Sequence, residues 1–269
     1  MHKDLTGLNI AGVTPFSSVD WPGKLVATAF LQGCPWNCGY CQNFAIIDPH
    51  MTGGYAEEDL WELLTRRQGL LDGVVFSGGE PTRQAALIPA AQRARELGFE
   101  IGLHSGGAYP KRLAELLDQV LLDWIGLDIK ALPENYSWVA GLEKSGPQGT
   151  HLANQALGQK AWESLDLVLE AHLAGQLQDY EVRLTVYPGD DPRDTNPENA
   201  LEIAKTLRSR GVETLAIQEA RPDGTRPEFA KIYKTPQSQG FPAALAEVAR
   251  TIQSLGFPHF TFRGSMELN

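Results

Sequence analysis

The sequence predicts an α/β protein, an incomplete β/α barrel of six units with parallel strands. Three observations carry that prediction. Short runs of strand-compatible residues alternate with stretches of helical spacing through most of the 269-residue chain, the pattern that successive βαβ units write into a sequence. Six such strands precede a C-terminal helix and strand, whereas a closed barrel of this kind needs eight. No internal repeat, low-complexity tract or obvious linker interrupts the alternation. One domain over residues 1–269 is therefore expected, with its core at about 20–220 and the last helix and strand as an extension. An open doubly wound sheet shares the alternation and stays open as the alternative on periodicity alone. Both architectures put their chemistry at the C-terminal ends of the strands.

The elements follow in order. Leu25-Val-Ala-Thr-Ala-Phe-Leu31 is an apolar, strand-compatible run that leads straight into three cysteines. Residues 56–67 carry Leu60, Leu63 and Leu64 at helical spacing, and 73–77 form the next strand, closed by Gly78-Gly-Glu-Pro81. A helix over 84–97 stops at Gly98, a residue suited to a helix C-terminus. Strand 99–103, helix 111–119 and strand 123–129 continue the pattern. The Gly- and Pro-containing stretch 131–158 reads as irregular, and helix 160–174, strand 180–187, helix 197–210 and strand 213–217 follow it. Residues 221–240, rich in Pro, Gly and charge, are a candidate surface loop or lid. Helix 242–255 and a strand at 259–262 end the chain.

Composition excludes several classes of function. With 33 acidic against 23 basic side chains and a net charge of −10, the chain lacks the clustered cations that nucleic acid requires, so no nucleic-acid partner is expected. No run of about 18 apolar residues is present to span a membrane. The start, Met1-His-Lys-Asp-Leu5, does not have the basic and then apolar pattern of a signal peptide. A soluble, cytoplasmic protein is the expectation. All three cysteines fall in eight consecutive residues, Cys34-Pro-Trp-Asn-Cys38-Gly-Tyr-Cys41. An odd number in one short loop is no disulfide framework and reads as metal ligation where thiols stay reduced.

Three thiolates can hold three corners of a four-iron cluster and leave the fourth iron open to a substrate. Zinc would lack its fourth ligand, for which His50 is the nearest candidate. At the end of the next strand, Ser77-Gly78-Gly79-Glu80-Pro81 offers glycines that let backbone approach a ligand closely; alone, it would be no more than a turn. Asp128-Ile-Lys130 stands at the end of the fourth predicted strand, where a solvated charge pair is the competing reading. Arg183 alternates with apolar neighbours, which fits either an inward-pointing or an edge-exposed arginine. His2, His50, His151, His172 and His259 have no metal-ligand partner at short spacing and receive no role.

Cys-x3-Cys-x2-Cys after a strand, with an aromatic Tyr40 before the last cysteine, is the signature of the radical S-adenosylmethionine superfamily, and Gly78-Gly-Glu-Pro81 resembles that superfamily's second motif. The resemblance implies an incomplete radical-SAM barrel, with Cys34, Cys38 and Cys41 holding a [4Fe–4S] cluster. It further implies S-adenosylmethionine contacts at Tyr40, Ser77, Gly78, Gly79, Glu80, Ser105, Asp128, Lys130 and Arg183. In particular, Lys130 would meet the cofactor carboxylate and Asp128 would orient the polar groups nearby.

The order of further segments resembles activases of glycyl-radical enzymes, above all the activating protein of anaerobic ribonucleoside-triphosphate reductase. These segments are Thr14-Pro-Phe-Ser-Ser-Val-Asp-Trp-Pro-Gly-Lys24, Phe30-Leu-Gln-Gly-Cys34, Tyr40-Cys-Gln-Asn43, Val75-Phe-Ser-Gly-Gly-Glu-Pro-Thr82, Asp128-Ile-Lys-Ala131 and Arg183-Leu-Thr-Val186. That likeness implies reductive cleavage of S-adenosylmethionine to methionine and a 5′-deoxyadenosyl radical, which takes a hydrogen atom from a glycine of the partner enzyme. The electron comes from a donor such as flavodoxin or ferredoxin, and no side-chain acid or base is needed. The chain departs from the pattern at Gln42, where relatives commonly have His, and at His104-Ser-Gly-Gly107, where they have an acidic residue and Thr-Asn-Gly. His104 is therefore read as a strand-end histidine. Two other readings keep some of these features: a radical enzyme acting on a small molecule, as in deazapurine biosynthesis, and a non-catalytic metal-cluster module. With every cysteine in one loop, none remains for a second cluster.

Overall fold

A computed structural model describes residues 7–142 and 151–268. The N-terminal pentapeptide and residues 143–150 of the stretch read as irregular lie outside the described residues. The chain divides into two compact units: Met1–Pro35, Ala45–Leu127 and Ser164–Tyr180 form the first, and Trp36–Phe44, Asp128–Glu163 and Glu181–Asn269 the second.

In the first unit, strands β1 (Ile10–Ser17), β2 (Val26–Leu31), β3 (Gly73–Gly78), β4 (Glu100–Ser105) and β5 (Trp124–Asp128) lie in chain order. β2 to β5 are parallel, and helices α1 (Glu57–Arg66), α2 (Leu87–Glu96) and α3 (Pro110–Asp118) connect them. β2 and β3 are apolar along almost their whole length because both faces are covered. Their register runs from Val26 opposite Gly73 to Leu31 opposite Gly78. The cysteine loop and the Gly-Gly-Glu-Pro turn therefore leave neighbouring strand ends at one level.

The core of this unit includes Trp21, Val26, Val75 and Trp124, with the two indoles stacked at 5.5 Å. Gly102 makes room for the pair, since a Cβ there would sit 2.8 Å from the Trp21 ring. Trp21, in the middle of segment 14–24, is thus a packing residue.

In the second unit, β6 (Asp179–Val186), β7 (Thr214–Glu219) and β8 (His259–Arg263) are parallel neighbours. The helices are α4 (Tyr136–Val139), α5 (His151–Leu173, which also supplies the first unit), α6 (Pro197–Ser209), α7 (Pro227–Ile232) and α8 (Phe241–Gln253). The start of α6 shows why it begins where it does: Pro197 occupies the first turn and the Asn196 side chain accepts from Asn199 N–H at 3.0 Å.

The α/β architecture with parallel strands is the expected one, and three details differ. β1 was not foreseen, because Gly12 and Pro15 break its alternation. It pairs antiparallel with β2 at one end of the strand order, with register shifts at both ends, the position where proline is tolerated in a sheet. Helix α5 begins at His151, inside the stretch read as irregular. Gly158, the last residue of that stretch, lies within it, and a Cβ there would meet Pro133 O at 2.3 Å, so glycine lets the helix approach that segment. Residues 221–240 hold a short helix, α7, in place of a plain loop. Among the described residues no helix is long and apolar enough to cross a membrane.

Candidate cofactor site

At the strand ends of the first unit, Cys34 N–H donates to Ile47 O at 2.9 Å and Glu80 N–H donates to Gly33 O at 3.0 Å. The first bond ties the cysteine loop's entry to the segment around Ile47, and the second pins it to the Gly-Gly-Glu-Pro turn. Both glycines of the turn are demanded by this approach. A Cβ on Gly78, whose φ is +109°, would lie 2.4 Å from Leu31 N, and one on Gly79 would lie 2.3 Å from Gly33 O.

Glu80 is buried, and its carboxylate accepts from Thr82 N at 3.2 Å, Thr82 Oγ1 at 2.5 Å, Ser105 Oγ at 2.9 Å and Gly106 N at 2.9 Å. Burial raises its pKa above the usual carboxylate value, against the lowering effect of those donors. Ser105, also buried, accepts from Gly107 N at 2.9 Å. The Glu80 and Ser105 side chains thus join the end of β3 to the end of β4.

Ser77 is buried, with Oγ 3.1 Å from His104 Nδ1, and His104 Nε2 is 2.7 Å from Asp20 O. A carbonyl only accepts, so Nε2 carries the proton and, in the neutral ring, Nδ1 accepts from the Ser77 hydroxyl. The Ser77 oxygen keeps acceptor capacity of its own. His104 also meets Trp124 edge-on at 5.5 Å, which makes it an internal anchor of β4.

In the second unit, Cys38 is buried and Cys41 half-buried, and Cys41 N–H turns back to Cys38 O at 3.3 Å. Burial pushes the Cys38 thiol up to about 11 and raises Cys41 too, while Lys130 opposes the shift at both. Lys130 sits 3.0 Å from Asp128 and 5.6 and 5.8 Å from the Trp36 and Tyr40 ring centroids. Burial disfavours its charge, yet the Asp128 carboxylate holds it well above the ordinary lysine value, so it is a charged ammonium. Backbone bonds fix its place: Ile129 N–H donates to Arg183 O at 3.0 Å, and Thr195 Oγ1 donates to Lys130 O.

Tyr40 is buried against Tyr187 at 5.1 Å and Phe229 at 6.3 Å. Arg183 bonds Glu181 at 2.8 Å, and Arg263 clamps the same buried carboxylate at 2.8 and 2.7 Å. Glu181 loses solvent, but the two guanidiniums more than offset that and lower its pKa.

The donor set fits an iron–sulfur group. None of the three cysteines is in a disulfide, and soft thiolates are the ligands such clusters take. Two buried donors beside the cysteine loop, Tyr40 Oη and Arg226 Nε, have no hydrogen-bond partner, as expected where a bound group would meet them. Among the described residues no group of three or more His, Cys, Asp or Glu is gathered as a single metal ion would need.

Residues 28–217 match the Radical SAM superfamily. The chain belongs to that superfamily. Its cofactors are a [4Fe–4S] cluster and S-adenosylmethionine, and it is a radical SAM enzyme. A Methanocaldococcus jannaschii protein provisionally named as a glycyl-radical enzyme activating enzyme is 29% identical over 228 residues, covering 83% of this chain and 85% of its own. The pyruvate formate-lyase-activating enzyme of Streptococcus mutans is 30% identical over 220 residues, covering 77% of this chain and 76% of its own. Among solved structures, Streptococcus suis SuiB bound to S-adenosylmethionine has a TM-score of 0.55 at 14% identity, over 87% of this chain and 48% of that one. TYW1 with a lysine-pyruvate adduct has a TM-score of 0.51 at 14% identity, over 85% and 73%. At such identities these two show the fold alone.

Several residues around this radical SAM site had no visible signal in the sequence. Phe229 and Arg226 lie far along the chain from the cysteines and reach their loop only through the fold. Glu181 had one: it shares a strand face with Arg183, two residues on, so the pairing follows from the period of a strand.

Proposed function

We propose that this chain is a glycyl-radical enzyme activase, in which Cys34, Cys38 and Cys41 hold three irons of the cluster. When bound and reduced, the cluster supplies the electron that splits the sulfonium of S-adenosylmethionine into methionine and a 5′-deoxyadenosyl radical. Lys130 offers the buried ammonium for the cofactor carboxylate, with Asp128 holding it in place. Ser77, its proton committed to His104, offers an acceptor for the cofactor ammonium. Gly78 and Gly79 set the turn at the end of β3, and the Glu80–Ser105 bond holds it against β4. Tyr40 packs the cofactor side of the loop, and Arg183 acts through its fixed geometry on Glu181.

The observation that carries the activase reading is that relatives bearing activase names align over most of their own length and most of this chain. A chain whose only cysteines lie in one loop, with none for an auxiliary cluster, supports it. Anaerobic ribonucleoside-triphosphate reductase is the client we favour, in a cytoplasmic setting with flavodoxin or ferredoxin as donor. Segment 14–24 is the sequence feature behind that choice. The test is to reconstitute the protein anaerobically, reduce it with S-adenosylmethionine present, add the reductase and record electron paramagnetic resonance. A glycyl-radical doublet on the reductase is expected. Production of 5′-deoxyadenosine with no radical on any glycyl-radical enzyme would overturn the activase reading and leave a small-molecule radical enzyme.

A further inference from the structure

The segment after β7 returns to the cysteine loop. A Cβ on Gly224 would lie 2.7 Å from Gln42 O, so the two backbones are closely apposed. Phe229, on α7, is 5% exposed and lies 6.3 Å from Tyr40 and 5.7 Å from Tyr187. Between these two anchors stands Arg226, its guanidinium 4.4 Å above the Phe44 ring centroid. The Nε–H of this arginine is buried without a hydrogen-bond partner. The other cation acting on the loop, Lys130, has its charge matched by Asp128 at 3.0 Å.

We propose that Arg226 is a positioning residue that tunes the cluster, supplying positive charge and an N–H donor at the Cys41 end of the loop and thereby raising the reduction potential. The physical reason is charge balance. Taking up one electron from the donor adds one negative charge to the cluster, and a nearby fixed cation stabilises the reduced form more than the oxidised one. The guanidinium, held over the Phe44 ring, is fixed in place, so little reorganisation accompanies the electron. The electron later leaves for the sulfonium, so the same cation eases loading from the donor and moderates the driving force for cleavage.

The proposal rests on the ligand assignment above and not on the identity of the client. It is tested on the reconstituted protein alone, without S-adenosylmethionine or partner, by redox titration of the cluster followed by electron paramagnetic resonance. Arg226→Gln is expected to retain iron and to move the midpoint to more negative potential, by a displacement that shrinks at high salt. Arg226→Lys, which keeps the cation, should stay nearer the wild-type midpoint, and Phe44→Leu, which removes the ring that holds the guanidinium, should move it part of the way in the direction of R226Q. An unmoved midpoint in R226Q, or one displaced in R226K as far as in R226Q, overturns the proposal. Should R226Q fail to hold iron, F44L decides: a midpoint moved to more negative potential supports the proposal and an unmoved one overturns it. Failure of the wild-type chain to take up a cluster is a different result, which removes the ligand assignment itself.

Discussion

Gly79 illustrates how a residue chosen for one reason can be required for another. Glycine in this turn was expected to let a cofactor approach, yet a Cβ here would also collide with Gly33 O at 2.3 Å. Gly79→Ala should therefore destabilise the cofactor-free protein by about 1–3 kcal/mol, the usual cost of forcing an extra carbon into packed structure. Urea denaturation checks this, and wild-type stability would assign the glycine to the cofactor alone. Ser105 makes a parallel case. Its hydroxyl both donates to Glu80 and accepts from Gly107 N–H, so Ser105→Ala leaves two buried groups short of a partner. A loss of about 1–3 kcal/mol is expected from the same measurement. Sequence reading identified both positions through the family likeness, but the hydrogen bonds that occupy Ser105 and Glu80 depend on β3 and β4 lying side by side, which no local pattern encodes.

Among the elements, α7 joins the chain's C-terminal part to the loop of Cys38 and Cys41. Residues 221–240 looked like a lid because Pro, Gly and charge dominate them. In the fold, Phe229 is driven into the aromatic contact with Tyr40 and Tyr187. Phe229→Ala should cost about 3 kcal/mol in the packing of this segment. It should also hasten iron release from the reconstituted protein in air, followed by the decay of cluster absorbance; an unchanged rate would separate α7 from cluster protection. Of the strands that carry the site, β2 and β3 were legible from their apolar runs because both faces are covered. β1 was not, since Pro15 and its irregular register with β2 erase the period-two signal. Nor was the part of α5 before residue 160, because the Gly- and Pro-containing stretch that ends at Gly158 reads as irregular, and only the close approach of Pro133 explains that glycine.

For the molecule as a whole, two buried carboxylates give the pH dependence opposite tendencies. Glu181 is lowered from 4.5 by its two arginines. Its contribution is fully present above the unfolded-state value and is lost as pH falls through the lower folded one. Glu80 is raised from 4.5 by burial, so its contribution is greatest below that value and declines as pH rises through its folded pKa. The acid limb therefore belongs to Glu181. Glu181→Gln should cost on the order of 3 kcal/mol near neutrality, and the difference from wild type should shrink as pH falls below about 4.5. Denaturation at a series of pH values reads this directly, and a difference constant with pH would contradict it.

The function of the whole molecule rests on one chemical event, and one measurement addresses it most directly. The anaerobically reconstituted chain is reduced in the presence of S-adenosylmethionine and assayed for 5′-deoxyadenosine, beside variants with Cys34, Cys38 or Cys41 replaced by alanine. The account predicts 5′-deoxyadenosine and methionine from the wild-type chain and neither from any of the three variants. No product from a wild-type chain carrying its full complement of iron, or undiminished product from a variant lacking one of the cysteines, would contradict it.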